Sequence, residues 1–248
     1  MIGNEFSVPG RNGYSISILS NVNDAHSSIL LCLHGFCGDK NSSVIAALME
    51  NLDQYGVGVL TFDWPAHGNS IAKDEDLTVE NCLSDIDAVL ECIQDKWVLP
   101  VSCFATSFGG YLAMLYRNKH LKAFEKTVLR SPALKMAQTF LSFCSADEIE
   151  RFQDGEALTM GFDRKMQISY SFYESLMKNN AYEAPVSNPE QLLILQGDCD
   201  DIVMPYDTAT YAERNGIRLV WFRGSDHRYK KSGDLNQIIK LTRDFLLL

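Results

Sequence analysis

The chain has 248 residues, 46% apolar and 22% charged, and its 22 Lys and Arg against 32 Asp and Glu give a formal net charge of −10. These values are ordinary for one globular domain and exclude disorder, collagen and coiled coil. A chain of this length buries roughly three quarters of its extended surface, so it needs no disulfide or metal to hold a core, and its negative charge argues against a nucleic-acid partner.

The elements alternate along the chain. Met1-Ile2-Gly3-Asn4-Glu5 carries no basic stretch followed by an apolar run, so no signal peptide is expected. Ser15–Leu19 alternates polar and apolar residues, as a half-exposed strand does. Ile29–Leu33 and Val57–Phe62 are continuous apolar runs, the pattern of strands buried on both faces. Leu83, Ile86, Leu90 and Ile93 then recur at helical spacing. Strand-like Val101–Ala105 follows, and after Gly109-Gly110 a helix is marked by Leu112, Leu115 and Tyr116. Thr127–Arg130, Leu192–Leu195 and Leu219–Phe222 read as three further buried strands, and Leu235, Ile238, Ile239, Thr242 and Leu246 as a final helix. Strands alternating with helices predict an α/β fold with a mostly parallel central sheet of about eight strands flanked by helices.

Residues 134–184 interrupt this alternation. They read as helices joined by Ser-Ala-Asp-Glu and Asp-Gly-Glu turns, with no clear buried strand. The stretch contains Phe140, Phe143, Phe152, Phe162, Tyr170, Phe172, Tyr173 and Tyr182, together with Met136, Met160, Met166 and Met177. It is either a helical subdomain with its own small core or a lid whose inner face lines an apolar pocket.

Four segments carry chemistry, each directly after a predicted strand. Phe104-Ala105-Thr106-Ser107-Phe108-Gly109-Gly110 runs from strand to helix through a Ser flanked by small residues. Such a turn strains the Ser backbone and lifts its hydroxyl clear of the sheet; the plainer alternative is a Ser that only caps the helix. Leu33-His34-Gly35-Phe36-Cys37-Gly38 supplies the Phe36 N–H, which with the Phe108 N–H makes a two-donor oxyanion hole, His34 holding the loop. In Gln196-Gly197-Asp198-Cys199-Asp200-Asp201, three aspartates compete to be an acid placed beyond a strand's C-terminal end, and Asp200 stands three residues after Gly197 and three before Val203. Arg223-Gly224-Ser225-Asp226-His227 presents the one histidine after position 120. His26 and His120 sit in polar surroundings and read as solvated. Ser107, Asp200 and His227 thus follow in the order nucleophile, acid, base. Serine alone is a poor nucleophile at neutral pH; His227 takes its proton, and Asp200 fixes the imidazole tautomer and stabilises its cation.

On these residues the chain resembles an α/β-hydrolase of the serine esterase and lipase type over essentially its full length. The likeness rests on His34-Gly35-Phe36, on Asp63-Trp64-Pro65-Ala66-His67-Gly68-Asn69-Ser70, on Ala105-Thr106-Ser107-Phe108-Gly109, on Gly197-Asp198-Cys199-Asp200 and on Gly224-Ser225-Asp226-His227. The resemblance implies that Asp63 to Ser70 forms a turn bordering the site, with His67 structural. The His-Gly-Phe-x-Gly start and a lid of this length are similar to cinnamoyl and feruloyl esterases and to monoacylglycerol lipases. Ala105 stands where that family most often has Gly. A serine nucleophile argues against haloalkane dehalogenation and dienelactone hydrolysis. No phosphate-cradling, dinucleotide, zinc or EF-hand pattern is present, so no cofactor or metal is expected.

The expectation is one domain over residues 1–248 with a lid at 134–184, hydrolysing small esters with an apolar acyl or aryl group through an acyl-enzyme on Ser107. Thioester, amide and lactone hydrolysis use the same three residues, and a non-catalytic ligand-binding homologue would keep the fold. Seven cysteines, an odd number without a C-x-x-C pair, suit a reducing cytoplasm. No run approaches the ~18–20 apolar residues of a membrane span.

Overall fold

The computed structural model describes residues 3–161 and 164–248, so Met1, Ile2 and the aromatic Phe162 lie outside the described residues. The strands are β1 (Asn4–Pro9), β2 (Ser15–Ser20), β3 (Ser28–Leu33), β4 (Val57–Phe62), β5 (Val101–Thr106), β6 (Thr127–Arg130), β7 (Leu158–Met160), β8 (Met166–Ile168), β9 (Leu192–Gly197) and β10 (Arg218–Phe222). The helices are α1 (Ser43–Leu52), α2 (Val79–Lys96), α3 (Phe108–Lys119), α4 (Met136–Leu141), α5 (Ala146–Gln153), α6 (Tyr170–Lys178), α7 (Pro205–Asn215) and α8 (Asp234–Leu247). Eight strands form one sheet in the order β1-β2-β4-β3-β5-β6-β9-β10. From β4 to β10 every pairing is parallel, while β1 with β2 and β2 with β4 are antiparallel. The expected α/β architecture is the observed one.

The parallel strands β3, β4, β5, β6 and β9 are covered on both faces, which is why their sequences are largely continuous apolar runs; β10, expected to be buried as well, is the edge strand and only its Phe222 is buried. Leu30, Cys32, Val59, Phe104, Val128, Leu193 and Leu195 face α1 and α8. Leu31, Leu33, Leu60, Cys103, Ala105, Leu129 and Ile194 face α2, α3 and α7. In α8 the first position differs from the sequence reading: Asp234 is buried and Leu235 is 37% exposed. The chain leaves β3 for β4 on one side and returns to β5 on the other, so the sheet reverses direction of growth between β3 and β5. A crevice opens beyond the C-terminal ends of strands at such a point. Ser107 directly follows β5, and His34-Gly35-Phe36 directly follow β3.

Between β6 and β9 lie α4, α5, α6 and a two-stranded antiparallel ribbon, β7 with β8. The ribbon is absent from the sequence reading, which found only helices here; its strands have three residues each, too few to announce a period. Ser145 to Glu148, read as a joint, is the N-terminal cap of α5: Glu148 accepts the Ser145 N–H at 2.8 Å and Ser145 Oγ accepts the Glu148 N–H at 3.3 Å. Phe140, Phe152 and Phe172 are all at most 1% exposed and join the main core, whereas Phe143 is 53% exposed. Arg164 ties this segment to the 63–70 turn, donating to the carbonyls of His67 (3.3 Å), Gly68 (3.1 Å) and Ser70 (2.7 Å).

One buried acid gives the fold a pH dependence. Asp85 of α2 is fully buried and accepts the Tyr14 hydroxyl at 3.1 Å; burial raises its pKa from 3.8 to about 7. The folded chain therefore holds this proton up to about pH 7, while the unfolded chain releases it above about pH 4. Between those values the unfolded state binds fewer protons, so stability falls by about 1.4 kcal/mol per pH unit from this group, and it is level above. Asp85→Asn is expected to match the parent in thermal unfolding near pH 4 and to exceed it at pH 8; equal melting temperatures at pH 8 would exclude this role for Asp85.

Candidate active site

The turn that carries Ser107 is strained. Ser107 has φ 52° and ψ −113°, a region β-carbon-bearing residues avoid. Its N–H donates to the Arg130 carbonyl at 3.0 Å, and its carbonyl accepts from Tyr111 at 3.0 Å and Ala133 at 3.1 Å. Ser107 makes no side-chain cap to α3, so the hydroxyl stays available. Gly109 is required by its surroundings: a β-carbon there would lie 2.6 Å from the His34 carbonyl oxygen and overlap that of Leu33. The close approach is thus to the end of β3, not to β5 itself, and Ala105 is accommodated, fully buried, in the core.

His227 stands on the loop after β10. Its Nε2 lies 3.1 Å from Ser107 Oγ, and its Nδ1 lies 3.0 and 2.9 Å from the two carboxylate oxygens of Asp200. The geometry assigns the proton to Nδ1, facing the carboxylate, and leaves Nε2 as acceptor for the serine hydroxyl. Asp200 Oδ1 also accepts the N–H groups of Ile202 (3.0 Å) and Val203 (2.9 Å), and Oδ2 accepts from Gln196 Nε2 at 2.9 Å. Burial alone would raise the Asp200 pKa, but the hydrogen bond and charge of His227, the Val203 N–H and the Ser131 hydroxyl hold it below the ordinary carboxylate value. A β-carbon at Gly197 would collide with the Ser225 carbonyl, so the acid and histidine loops touch only because that residue is Gly.

The competing aspartates lie elsewhere. Asp198 accepts from the Gly224 N–H at 2.6 Å and Arg223 at 3.3 Å, closing the turn after β10, and Asp201 is exposed. His26, read as solvated, is 7% exposed: its Nδ1 accepts the Asn23 N–H at 3.0 Å and its Nε2 lies 3.1 Å from Asp53. His120 is exposed and stacks on Tyr116 at 4.4 Å.

Phe36 follows β3 in a turn closed by Gly38 N–H to Gly35 C=O at 3.1 Å, with Cys37 at φ 60°. A positive φ at the third turn residue fits type II, in which the N–H of the second residue, Phe36, takes no part in the turn bond. Phe108 opens α3, where helix geometry gives its N–H no intrahelical partner. A β-carbon on Gly35 would lie 3.3 Å from Ser107 Cβ, so the two donor segments flank the serine. The Phe36 ring stacks on Phe172 of α6 (5.7 Å, 6° between planes) and meets Phe140, Phe108 and His67 edge-on.

Behind this turn, His34 Nδ1 donates to the Gly35 carbonyl at 2.9 Å and Nε2 accepts the Trp64 N–H. His67 Nδ1 donates to Pro65 at 2.8 Å; burial, reinforced by His34, lowers its pKa to about 3, so it is neutral. Asp63 accepts the Lys40 N–H (2.8 Å) and the Lys40 ammonium (2.9 Å), both out of water, and the N–H of exposed Asn69 (2.9 Å). This ion pair welds the loop after β3 to the 63–70 turn. A cleft of about 210 Å³ lies nearby, one or two bonds removed from the site: none of Ser107, Asp200 and His227 lines it, but its walls include Pro132 and Leu134, which flank the Ala133 whose N–H bonds the Ser107 carbonyl, and Val203, whose N–H bonds Asp200. Apolar Ile202 and Met204 continue its wall, and Lys135, paired with Asp207 at 2.6 Å, lies at its edge.

Sequence reasoning missed Arg130 and Lys40, whose partners are distant in the chain, and Gln196, which bonds Asp200 only four residues on. Gln196 carries a signal in retrospect, a polar residue inside an otherwise apolar strand.

A family described as serine aminopeptidase, S33 (hydrolase) matches residues 24–154, more than half of the chain. The chain belongs to this family. It is accordingly an α/β-hydrolase. Among solved structures, Est1E from Butyrivibrio proteoclasticus, determined with ferulic acid bound, superposes with a TM-score of 0.79 at 21% identity, over 98% of each chain. Alpha/beta hydrolase domain-containing protein 10 from mouse gives 0.78 at 17% identity, over 98% of each chain. An esterase from Pyrococcus furiosus gives 0.71 at 16%, over 98% of this chain and 89% of its own. At such identities the likeness concerns the fold. No curated protein sequence matches the hydrolase. Among its described residues, no helix is long and apolar enough to cross a membrane, and no group of three or more His, Cys, Asp or Glu could hold a metal ion.

Proposed function

We propose that the hydrolase cleaves small carboxylic esters through an acyl-enzyme on Ser107, with His227 as general base and acid and Asp200 as the group that orients it. One observation carries this reading: a single imidazole spans 3.1 Å to the strained serine and 2.9 Å to a buried carboxylate. Ser107 Oγ attacks the ester carbonyl as its proton passes to His227 Nε2. The carbonyl oxygen, now anionic, accepts from the N–H groups of Phe36 and Phe108, donors of a kind each worth about 10²–10³ in rate. His227 then protonates the leaving alkoxide, and the acyl-enzyme forms. A water, deprotonated by the same Nε2, attacks the acyl carbon and releases the acid, returning the proton to Ser107.

We read the whole chain as one catalytic domain and residues 134–184 as its lid. Support comes from the contact of Phe140 and Phe172 with Phe36, which seals the donor turn beneath aromatic rings. The cleft between this segment and the acid loop takes the acyl group. At about 210 Å³ it lies below the usual ligand-pocket range, and apolar Pro132, Leu134, Ile202, Val203 and Met204 share its lining with polar Gln138, Thr139, Ser142 and Thr208, which suits a compact apolar or aryl acyl chain. The bound ferulic acid of Est1E, a hydroxylated aryl acid, is in keeping with that choice. Seven cysteines without a disulfide support a cytoplasmic setting.

p-Nitrophenyl esters are expected to peak at about four to eight acyl carbons and to fall at least about tenfold by sixteen, with methyl ferulate also turned over. A rate that keeps rising to the longest chain would exclude the small cleft as the acyl site. The family's description favours one second reading, hydrolysis of amides or peptides, since the same three residues serve any acyl transfer. A panel of matched esters, thioesters, lactones and aminoacyl anilides on purified protein separates the readings: esters fastest supports ours, and turnover of anilides alone replaces it. Ligand-induced thermal stabilisation with no turnover of any substrate would point instead to a binding protein.

A further inference from the structure

Arg130, the last residue of β6, is 9% exposed and takes no part in the chemistry above. Burying a guanidinium is costly unless its surroundings use it. Its Nη2 donates to the carbonyl of Arg228 at 3.0 Å, and the guanidinium carbon lies 4.4 Å over the ring of Tyr229. Those two residues immediately follow His227. Tyr229 has φ 54°, a strained backbone for an aromatic residue, so its conformation must be imposed by its contacts. The adjacent Ser131 completes the clamp: its Oγ lies 3.1 Å from the Tyr229 hydroxyl, which donates to the Leu195 carbonyl at 2.9 Å, and its own N–H donates to the same carbonyl at 2.8 Å. On the other side, the Arg130 carbonyl accepts the Ser107 N–H at 3.0 Å. One residue thus holds the nucleophile's backbone with its main chain and the histidine loop with its side chain. Burial lowers the guanidinium pKa, and the negative charges of Asp200, Asp226 and Asp234 partly offset that cost; among the described residues Arg130 Nε has no hydrogen-bond partner.

We propose that Arg130 is a positioning residue that fixes the imidazole of His227 between Ser107 and Asp200, acting through the Arg228 carbonyl and the Tyr229 ring. The inference rests on the catalytic reading of Ser107 and His227. A leucine or methionine would fill the same space, and only a planar, multiply donating cation can both lie on the Tyr229 ring and reach the Arg228 carbonyl. Arg130 does not line the cleft assigned to the acyl group, so its loss should act on kcat and leave KM alone.

The test combines Arg130→Met and Arg130→Lys with two readouts: steady-state hydrolysis of p-nitrophenyl butyrate, and the far-downfield proton NMR signal of the imidazole Nδ1–H shared with Asp200. Arg130→Met is expected to lower kcat about 10- to 100-fold with KM within about twofold, and to broaden or abolish the signal. Arg130→Lys, which keeps the charge and one donor but loses the planar fork, should recover part of both, remaining about three- to tenfold down in kcat. A folded Arg130→Met with parental kcat and signal, or with its loss in KM alone, overturns the proposal. Should Arg130→Met not fold, Arg130→Lys decides: a lower kcat with a broadened signal supports positioning, and parental behaviour overturns it. The NMR signal needs no substrate. A parent that cleaves no ester but whose signal depends on Arg130 would therefore refute the ester reading and leave this one standing.

Discussion

Ser107→Ala is expected to lower kcat for ester hydrolysis by about 10⁶-fold, the scale of losing a nucleophile from a serine, histidine and acid set, while the protein remains folded. The effect should be this large because, among the described residues, no second hydroxyl bonds His227 Nε2. The Oγ lies 3.1 Å from that nitrogen, lifted by a backbone that the sheet holds at φ 52°. The fold should survive because the side chain caps nothing, and the bonds that fix residue 107 run through its main chain to Arg130, Tyr111 and Ala133. Steady-state rates together with thermal unfolding check this: an unchanged melting temperature with residual turnover about 10³–10⁴-fold above the uncatalysed rate is the expected pair. A variant that keeps even a tenth of parental kcat would remove Ser107 from the reaction.

Asp200→Asn should lower kcat by about 10⁴-fold, and the reason lies in its hydrogen bonds. The Oδ1 position accepts two backbone N–H groups, from Ile202 and Val203, so an asparagine must keep its carbonyl oxygen there. Its amide nitrogen then occupies the Oδ2 position and faces two donors, His227 Nδ1 at 2.9 Å and Gln196 Nε2 at 2.9 Å. The imidazole escapes the clash by moving its proton to Nε2, where it points at Ser107 and can no longer accept the serine proton. The same change at Asp198, which closes the turn at Gly224, or at exposed Asp201 should cost less than about threefold. Loss of activity in Asp198→Asn instead would mean that another carboxylate orients the histidine.

What the sequence made legible follows from where selection of residue type is local. The parallel strands are buried on both faces, so Ile29–Leu33 and Val57–Phe62 announce themselves as unbroken apolar runs. β1 does not, because it is an edge strand in which only Val8 is buried. The β7–β8 ribbon is equally silent, with three residues in each strand. Ser107, Asp200 and His227 could be singled out as candidates because each stands just past the C-terminal end of a parallel strand, Ser107 in the turn into α3 and the other two in short polar loops. Their supports could not. Gln196 shows its use in its bond to Asp200, Arg130 in its contacts with the Arg228 carbonyl and the Tyr229 ring about 98 positions away, and Lys40 in its pair with Asp63. The aromatic wealth of 134–184 is visible in the sequence, but its direction is not: Phe140 and Phe172 pack against Phe36, and the cleft is lined by other residues, Leu134 and Val203 among them.

The most direct measurement is mass-spectrometric mapping of the hydrolase after treatment with a fluorophosphonate, which traps an activated serine as a stable covalent adduct. A single modification on Ser107, formed rapidly by the parent and far more slowly by His227→Ala, is the predicted result. Modification of any other residue, or none, or equal rates in the two proteins, would contradict the assignment of Ser107 and His227 as nucleophile and base.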